Sequence, residues 1–261
     1  GLIFLFLMAP ILIVFPLSFN KEPYFSFTQG MIALDPSAFS VRWYIDILNN
    51  GMIDPVAVVG WWSDLWNNSQ WIRSIKNSFI IGILATLLAT GLGTLAAIGL
   101  SRSEMPFRRP IMALLISPMI VPLVIIGSGM FFFFSDIGIA KTYLGVIIAH
   151  AILGTPYVII TVTATLVSFD ESLTRAAASL GANPFRAFFK VQMPLILPGV
   201  VSGALFAFIT SFDEVVVVLQ IADVRQRTIP RQMFSGIREQ ISPTILAVAT
   251  ILVIISIVLL T

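Results

Sequence analysis

Six stretches of this chain carry no Asp, Glu, Lys or Arg: residues 1–20, 77–101, 110–135, 142–169, 191–212 and 240–261. Each is at least 20 residues long, about the length of apolar helix that crosses a bilayer. The pattern predicts six transmembrane helices, over residues 2–19, 77–100, 111–134, 143–167, 195–219 and 244–260, the fifth interrupted by Asp213 and Glu214. The expected fold class is all-α, a polytopic membrane protein.

Composition agrees with the pattern. Hydrophobic residues make up 57% of the chain and charged residues 11%, against about 25% charged in soluble domains. A net charge of +2 with no basic stripe gives nucleic acid nothing to bind. The absence of cysteine excludes disulfides, thiol catalysis and cysteine metal sites. No H-E-x-x-H or other spaced catalytic set occurs, so neither an intramembrane enzyme nor a bound metal is expected. The chain starts at Gly1 and stops inside an apolar run, so natural ends beyond both are expected. The first run holds Pro10 and Pro16 without a small-residue cleavage site, which reads as a membrane helix and not a signal peptide.

Between the first two spans, residues 21–76 form the one long hydrophilic segment. Phe39, Trp43, Tyr44 and Ile47 follow helical spacing, and Trp61, Trp62, Trp66 and Trp71 suit a piece lying at the membrane interface, or else a ligand-stacking cluster. Gly82, Gly91, Gly93 and Gly99 permit close contacts by the second span. Pro118, Pro122 and the Gly127-Ser128-Gly129 step predict a kinked, tightly packed third span, either lining a pathway or simply bent. The fourth contains His150, the lone histidine, which is either a functional group within the membrane or a structural hydrogen-bonding residue.

The polar segment 173–194 has a legible local chemistry. Three alanines favour a helix over 173–180, and Gly181 accepts the left-handed geometry that stops it. Asn183 can cap a second helix with Pro184 in its first turn. On that short helix Phe185, Phe188 and Phe189 recur at spacings of three and four, with Arg186 and Lys190 one turn apart on another face. Aromatic knobs beside basic residues suit a partner's pocket; an amphipathic loop lying on the membrane is the other reading.

This segment resembles the signature loop of permease subunits from binding-protein-dependent ABC importers of the type I fold. The family pattern is E-A-A, three residues, G, nine residues, I-x-L-P. Here Arg175-Ala176-Ala177, Gly181 and Val191-Gln192-Met193-Pro194 stand at that spacing, with Arg175 in place of the glutamate and Val191 and Met193 in place of isoleucine and leucine. Residues 39–44, Asn77-Ser78, Ser211-Phe212-Asp213-Glu214, 228–233, 236–238 and Ile241-Ser242-Pro243 are similar to the spermidine/putrescine branch, its PotC-like permeases above all.

The resemblance implies a multi-pass subunit of the bacterial inner membrane. It would comprise a first helix (1–20), an external connecting segment (21–76) and a five-helix transporter domain (77–261) with a cytoplasmic coupling segment at 170–194. Implied partners are membrane lipid, a second permease in a heterodimer, two ATPase subunits and an external solute-binding protein. The segment 21–76 is longer than this branch leads one to expect, and its extra part near 52–67 would touch the binding protein. Ala176, Ala177, Gly181, Asn183, Pro184, Phe185, Arg186, Phe188, Phe189, Lys190 and Pro194 would carry ATPase coupling.

Residue chemistry fits that division of labour. No lysine follows a glycine, so the chain has no phosphate-binding loop, binds no cofactor of its own, and leaves ATP and magnesium to the partner ATPase. Asp213 and Glu214 are the expected contacts for a cationic solute, a polyamine above all, with Phe212 and His150 as further pathway candidates; a salt bridge or hydrogen bond at a subunit interface is their structural alternative. Adjacent residues on a helix point about 100° apart, so one of the two acids should face the pathway. Another small solute, such as an amino-acid-like compound or an opine, is the alternative cargo. A secondary transporter using Asp213, Glu214 and His150 as an ion relay would leave the 173–194 helix pair without a role. Orientation rests on the motif: with 173–194 inside, only six of the fifteen Lys and Arg fall on cytoplasmic loops, against the positive-inside tendency.

Overall fold

Apolar runs of this length can only bury their backbone polar groups in lipid as helices or closed barrels, and here they are helices. The computed structural model describes residues 1–56, 59–102, 104–170, 172–239 and 242–260; Ile241 of the sequence comparison lies outside them. No strand occurs among the described residues, only an isolated bridge between Asn20 and Phe39.

In chain order the helices are α1 (Leu2–Leu17), α2 (Gln29–Ile32), α3 (Arg42–Asn49), α4 (Trp61–Asn68), α5 (Gln70–Ser101), α6 (Arg108–Ile116), α7 (Leu123–Asp136), α8 (Tyr143–Val167), α9 (Ser172–Ser179), α10 (Pro184–Ala187), α11 (Met193–Asp213), α12 (Val216–Ile221), α13 (Ile229–Glu239) and α14 (Thr244–Leu260). Three of the described helices, α5, α8 and the continuous run Pro184–Asp213, are long and apolar enough to cross a membrane, and α6 with α7 forms a broken fourth. The first and last apolar runs are the shorter helices α1, of 16 residues, and α14, of 17.

The kink expected in the third span is a full break: α6 and α7 meet at a bend of 100°, α6 has no buried residue, and the close packing falls on α7, where Gly127 and Phe134 are buried. Pro118 and Pro122, four apart, remove two backbone donors in successive turns, and a short 3₁₀ turn at Ser117–Met119 takes up the break. The second helix of the 173–194 segment is not separate from the fifth span. It runs into α11 through a π-helical turn, Phe188–Gln192, two residues before Pro194, whose missing N–H and bulky ring disfavour ordinary helical bonding there. The expected interruption at Asp213 and Glu214 is present, and α12 follows it.

The chain forms two compact units, one of Gly1–Lys76 with Thr228 onward and one of Asn77–Arg227; α5 begins in the first and continues in the second. In the first unit, α14 packs on α1 and α3, and Thr244 Oγ1 donates to Asp46 Oδ2 at 2.6 Å. Trp43 is buried and donates its indole N–H to the Asn20 carbonyl at 2.6 Å, while the Tyr44 and Ser18 hydroxyls lie 2.7 Å apart. Trp71 is buried, whereas Trp62 and Trp66 are exposed, so the tryptophans do not form a single cluster.

The second unit is organised by α8 lying against α11. Gly199, Gly203 and Ala207 recur every four residues on one face of α11. A Cβ on Gly199 would strike the Thr165 hydroxyl, one on Gly203 would lie 2.8 Å from Val158 Cα, and Ala207 Cβ sits 2.9 Å from where a Cβ on Gly154 would be. Small residues at this spacing bring the two backbones together, the main source of helix affinity where lipid offers no hydrophobic drive. Ala85, Ala89 and Ala97 of α5 close the same core with Val158, Val162 and Ile196.

Candidate functional site

Two places hold the residues singled out by sequence, both within the second unit. The first is the corner between α9 and α10. Asp170 starts α9 by accepting the Ser172 backbone N–H at 2.8 Å, and this bond, with one to the Ser172 hydroxyl and a weaker pull from Arg175, holds its carboxyl below the usual range. At the other end Gly181 adopts φ +82, with its N–H on the Ala178 carbonyl and the Ala182 N–H on that of Ala177. This double closure is the Schellman stop, and a side chain at Gly181 would be strained in that conformation. Asn183 Oδ1 then accepts the Arg186 N–H at 2.8 Å and Pro184 opens α10, as the sequence predicts.

The corner sorts its side chains by face. Ala187 is buried against the protein and Phe188 half-buried, its ring edge-on to Phe189 at 4.9 Å. Facing away, Leu180 is 89% exposed, Phe185 77% and Phe189 61%. Arg186 and Lys190 are exposed beside them. The result is an apolar rim with basic flanks. Leu180 was not singled out by periodicity, because it sits at the helix stop and outside the aromatic spacing; its place just before the glycine is the signal that could have found it.

The second place is the end of α11. Glu214 leaves helical geometry and is 6% exposed; its Oε1 accepts the Val217 N–H at 2.6 Å and so starts α12. Asp213, one residue earlier, is exposed. Phe212 is flanked by Phe79 and Phe208, with ring centres 5.5 Å away in both cases, and Phe208 in turn lies over Gly82. His150 is buried, with Nδ1 2.7 Å from the Ser211 hydroxyl. The structure therefore ties the histidine to Ser211 and gives Glu214 a backbone partner, while Asp213 is the acid whose side chain is open.

A third cluster was only partly legible. The Gly127-Ser128-Gly129 step of α7 receives Gln220 of α12: Ser128 Oγ donates to Gln220 Oε1 at 2.7 Å, and Gln220 Nε2 donates to the Val124 carbonyl at 3.3 Å. A Cβ on Gly127 would lie 2.6 Å from that amide nitrogen. The small step thus makes room for a polar side chain between two helices.

Residues 89–261 match the family described as binding-protein-dependent transport system inner membrane component. The chain belongs to this family. The permease is therefore a multi-pass inner-membrane transport subunit of an ABC importer and not an enzyme. It is 30% identical over 257 residues to the spermidine/putrescine transport system permease protein PotC of Haemophilus influenzae, covering 98% of this chain and 90% of that protein. To the putrescine transport system permease protein PotI of Escherichia coli it is 28% identical over 256 residues, covering 95% and 82%. Its fold is similar to that in the crystal structure of a bacterial ABC transporter involved in the import of the acidic polysaccharide alginate, with a TM-score of 0.70, 17% identity, and coverage of 99% of this chain and 90% of that one. In the permease, the signature glycine and proline of the 173–194 segment are thus the stop of α9 and the second residue of α11, and the loop between them is a helix corner.

Proposed function

We propose that the permease forms half of the translocation pathway of an ATP-driven polyamine importer, paired with a second, different permease and fed by an external solute-binding protein. The reading of the cargo is supported by likeness along nearly the whole chain to permeases named for spermidine and putrescine transport. Two ATPase subunits, which carry ATP and magnesium, dock on the α9–α10 corners of the two permeases. The observation that carries this docking is the rim of Leu180, Phe185 and Phe189, exposed at the tip of a corner that is stopped at Gly181 and capped by Asn183. Such a rim is costly in water and rigid enough to act as a lever.

Closure of the ATPase pair then moves the corner. Because α10 continues through the π turn into α11, displacement passes directly to the span that ends at Phe212 and Asp213, and the pathway swings between inward and outward openings. Asp213 supplies the negative charge that an ammonium group needs, and the Phe212 ring is a cation–π surface beside it. Glu214 and His150 hold the break in the helix. Residues 21–76 lie outside, where the 52–67 stretch contacts the binding protein, and 170–194 lies in the cytoplasm.

Reconstituted in proteoliposomes with its partner permease, ATPase and binding protein, the permease should import radiolabelled spermidine or putrescine only with ATP. Uptake of polyamine without the ATPase would overturn the reading in favour of a secondary transporter. ATP-driven uptake of a different solute alone would correct the cargo.

A further inference from the structure

Arg175 stands in the α9 sequence where the family resemblance expects an acid, and the coupling corner makes no use of it. In the structure Arg175 lines a cavity of about 250 Å³ with Arg102, which follows the end of α5. Ser101 and Thr174 add hydroxyls, Gln192 from the π turn adds an amide, and Leu166 of α8 lies at the buried side. All of these belong to the second unit. Both arginines are exposed, and the Ser101 hydroxyl donates to the Ile98 carbonyl at 2.9 Å. Asp170, the described acid that feels Arg175, is engaged by Ser172.

The two guanidiniums, which can only donate, line the cavity beside the Thr174 hydroxyl and the Gln192 amide, so the set is rich in donors. Such a set is matched by a phosphate oxyanion, which accepts forked, charge-assisted bonds from arginine. The position adds a second argument. The cavity sits at the ends of the apolar helices α5 and α8, where Ile98, Leu166 and Phe169 line it together with the two arginines, the mix of apolar and cationic groups met at a lipid headgroup. We propose that this cavity binds a phosphate-bearing anion that bridges Arg102 and Arg175, and so fastens α9 to the ends of the spans. α9 has no buried residue of its own, so a bridge of this kind sets how firmly the corner is held. The shared ligand chemistry is the phosphate group, supplied by an anionic lipid headgroup or by soluble phosphate.

The test uses the importer assembled from the full permease and its partner subunits, in nanodiscs of phosphatidylcholine with or without phosphatidylglycerol. Phosphatidylglycerol retained by the complex is counted by native mass spectrometry, and radiolabelled inorganic phosphate is bound to the phosphatidylcholine-only particles. Loss of an arginine's charge-assisted bonds lowers affinity about tenfold or more. The wild type should retain phosphatidylglycerol that Arg102→Gln/Arg175→Gln loses, while Arg109→Gln, outside the cavity, retains it; this assigns a lipid. Phosphate binding by the wild type and not by the double variant assigns the soluble anion instead. Equal binding of both probes by the wild type and double variant, or binding of neither probe, overturns the site. Should the double variant fail to assemble, Arg175→Gln, whose side chain is exposed, gives the same comparison. The readout counts bound anion and not transport, so its failure leaves the docking of the ATPase at the corner to be judged separately.

Discussion

Ser211 Oγ lies 2.7 Å from His150 Nδ1, and both side chains are buried, so the lone histidine is fastened to α11. Removing one partner leaves the other with an uncompensated polar group, at a cost of about 1–3 kcal/mol. Ser211→Ala should therefore lower the thermal unfolding midpoint of the purified permease while leaving the KM for polyamine unchanged. A raised KM with unaltered unfolding would place His150 in the pathway.

The two adjacent acids should separate by experiment. Asp213→Asn is expected to raise the KM for polyamine uptake about tenfold, the value of one charge-assisted contact, with the midpoint of unfolding unchanged. Glu214→Ala removes the side chain that starts α12 and should cost about 0.5–2 kcal/mol of stability. Uptake kinetics and thermal unfolding measured on both variants decide the assignment; identical behaviour would contradict it.

At the corner, Phe185→Glu and Leu180→Glu place a charge on the exposed rim without touching a buried group. ATP hydrolysis by the assembled importer should lose its stimulation by loaded binding protein, and uptake should fall at least tenfold, the loss expected from a docking anchor worth about 2 kcal/mol. Phe188 is half-buried, so a charge there would confound docking with folding. Full uptake by the Phe185 and Leu180 variants would show that the ATPase docks elsewhere.

Glycine substitutions should give opposite signs in two helices. Gly203→Val drives a branched side chain into Val158 and the Thr161 hydroxyl and is expected to abolish recovery of folded permease from the membrane. Gly91→Ala meets nothing within 4 Å inside α5 and should stabilise by up to about 1 kcal/mol through helix propensity. Thermal unfolding or detergent-extracted yield reads both.

Much of this was legible because it is local or compositional. Apolar length fixes the spans, since lipid forbids an unpaired backbone. Gly181, Asn183 and Pro184 announce a stop, a cap and a first turn through chemistry that acts within four residues. The depth of the break at Ser117–Pro122 was not legible, because two prolines permit a bend and neighbours set its angle. Nor was the continuity of α10 with α11, since a π turn depends on how helices on either side of Pro194 are held.

By itself, then, the sequence determined a six-run helical membrane protein with a capped corner at 173–194, because hydropathy and capping are short-range properties. Only the tertiary structure decided what each polar residue does. The same neighbourhood made Glu214 the starter of a helix, left Asp213 open and tied His150 to Ser211, because those roles depend on which helices α8 and α11 bring within hydrogen-bond reach.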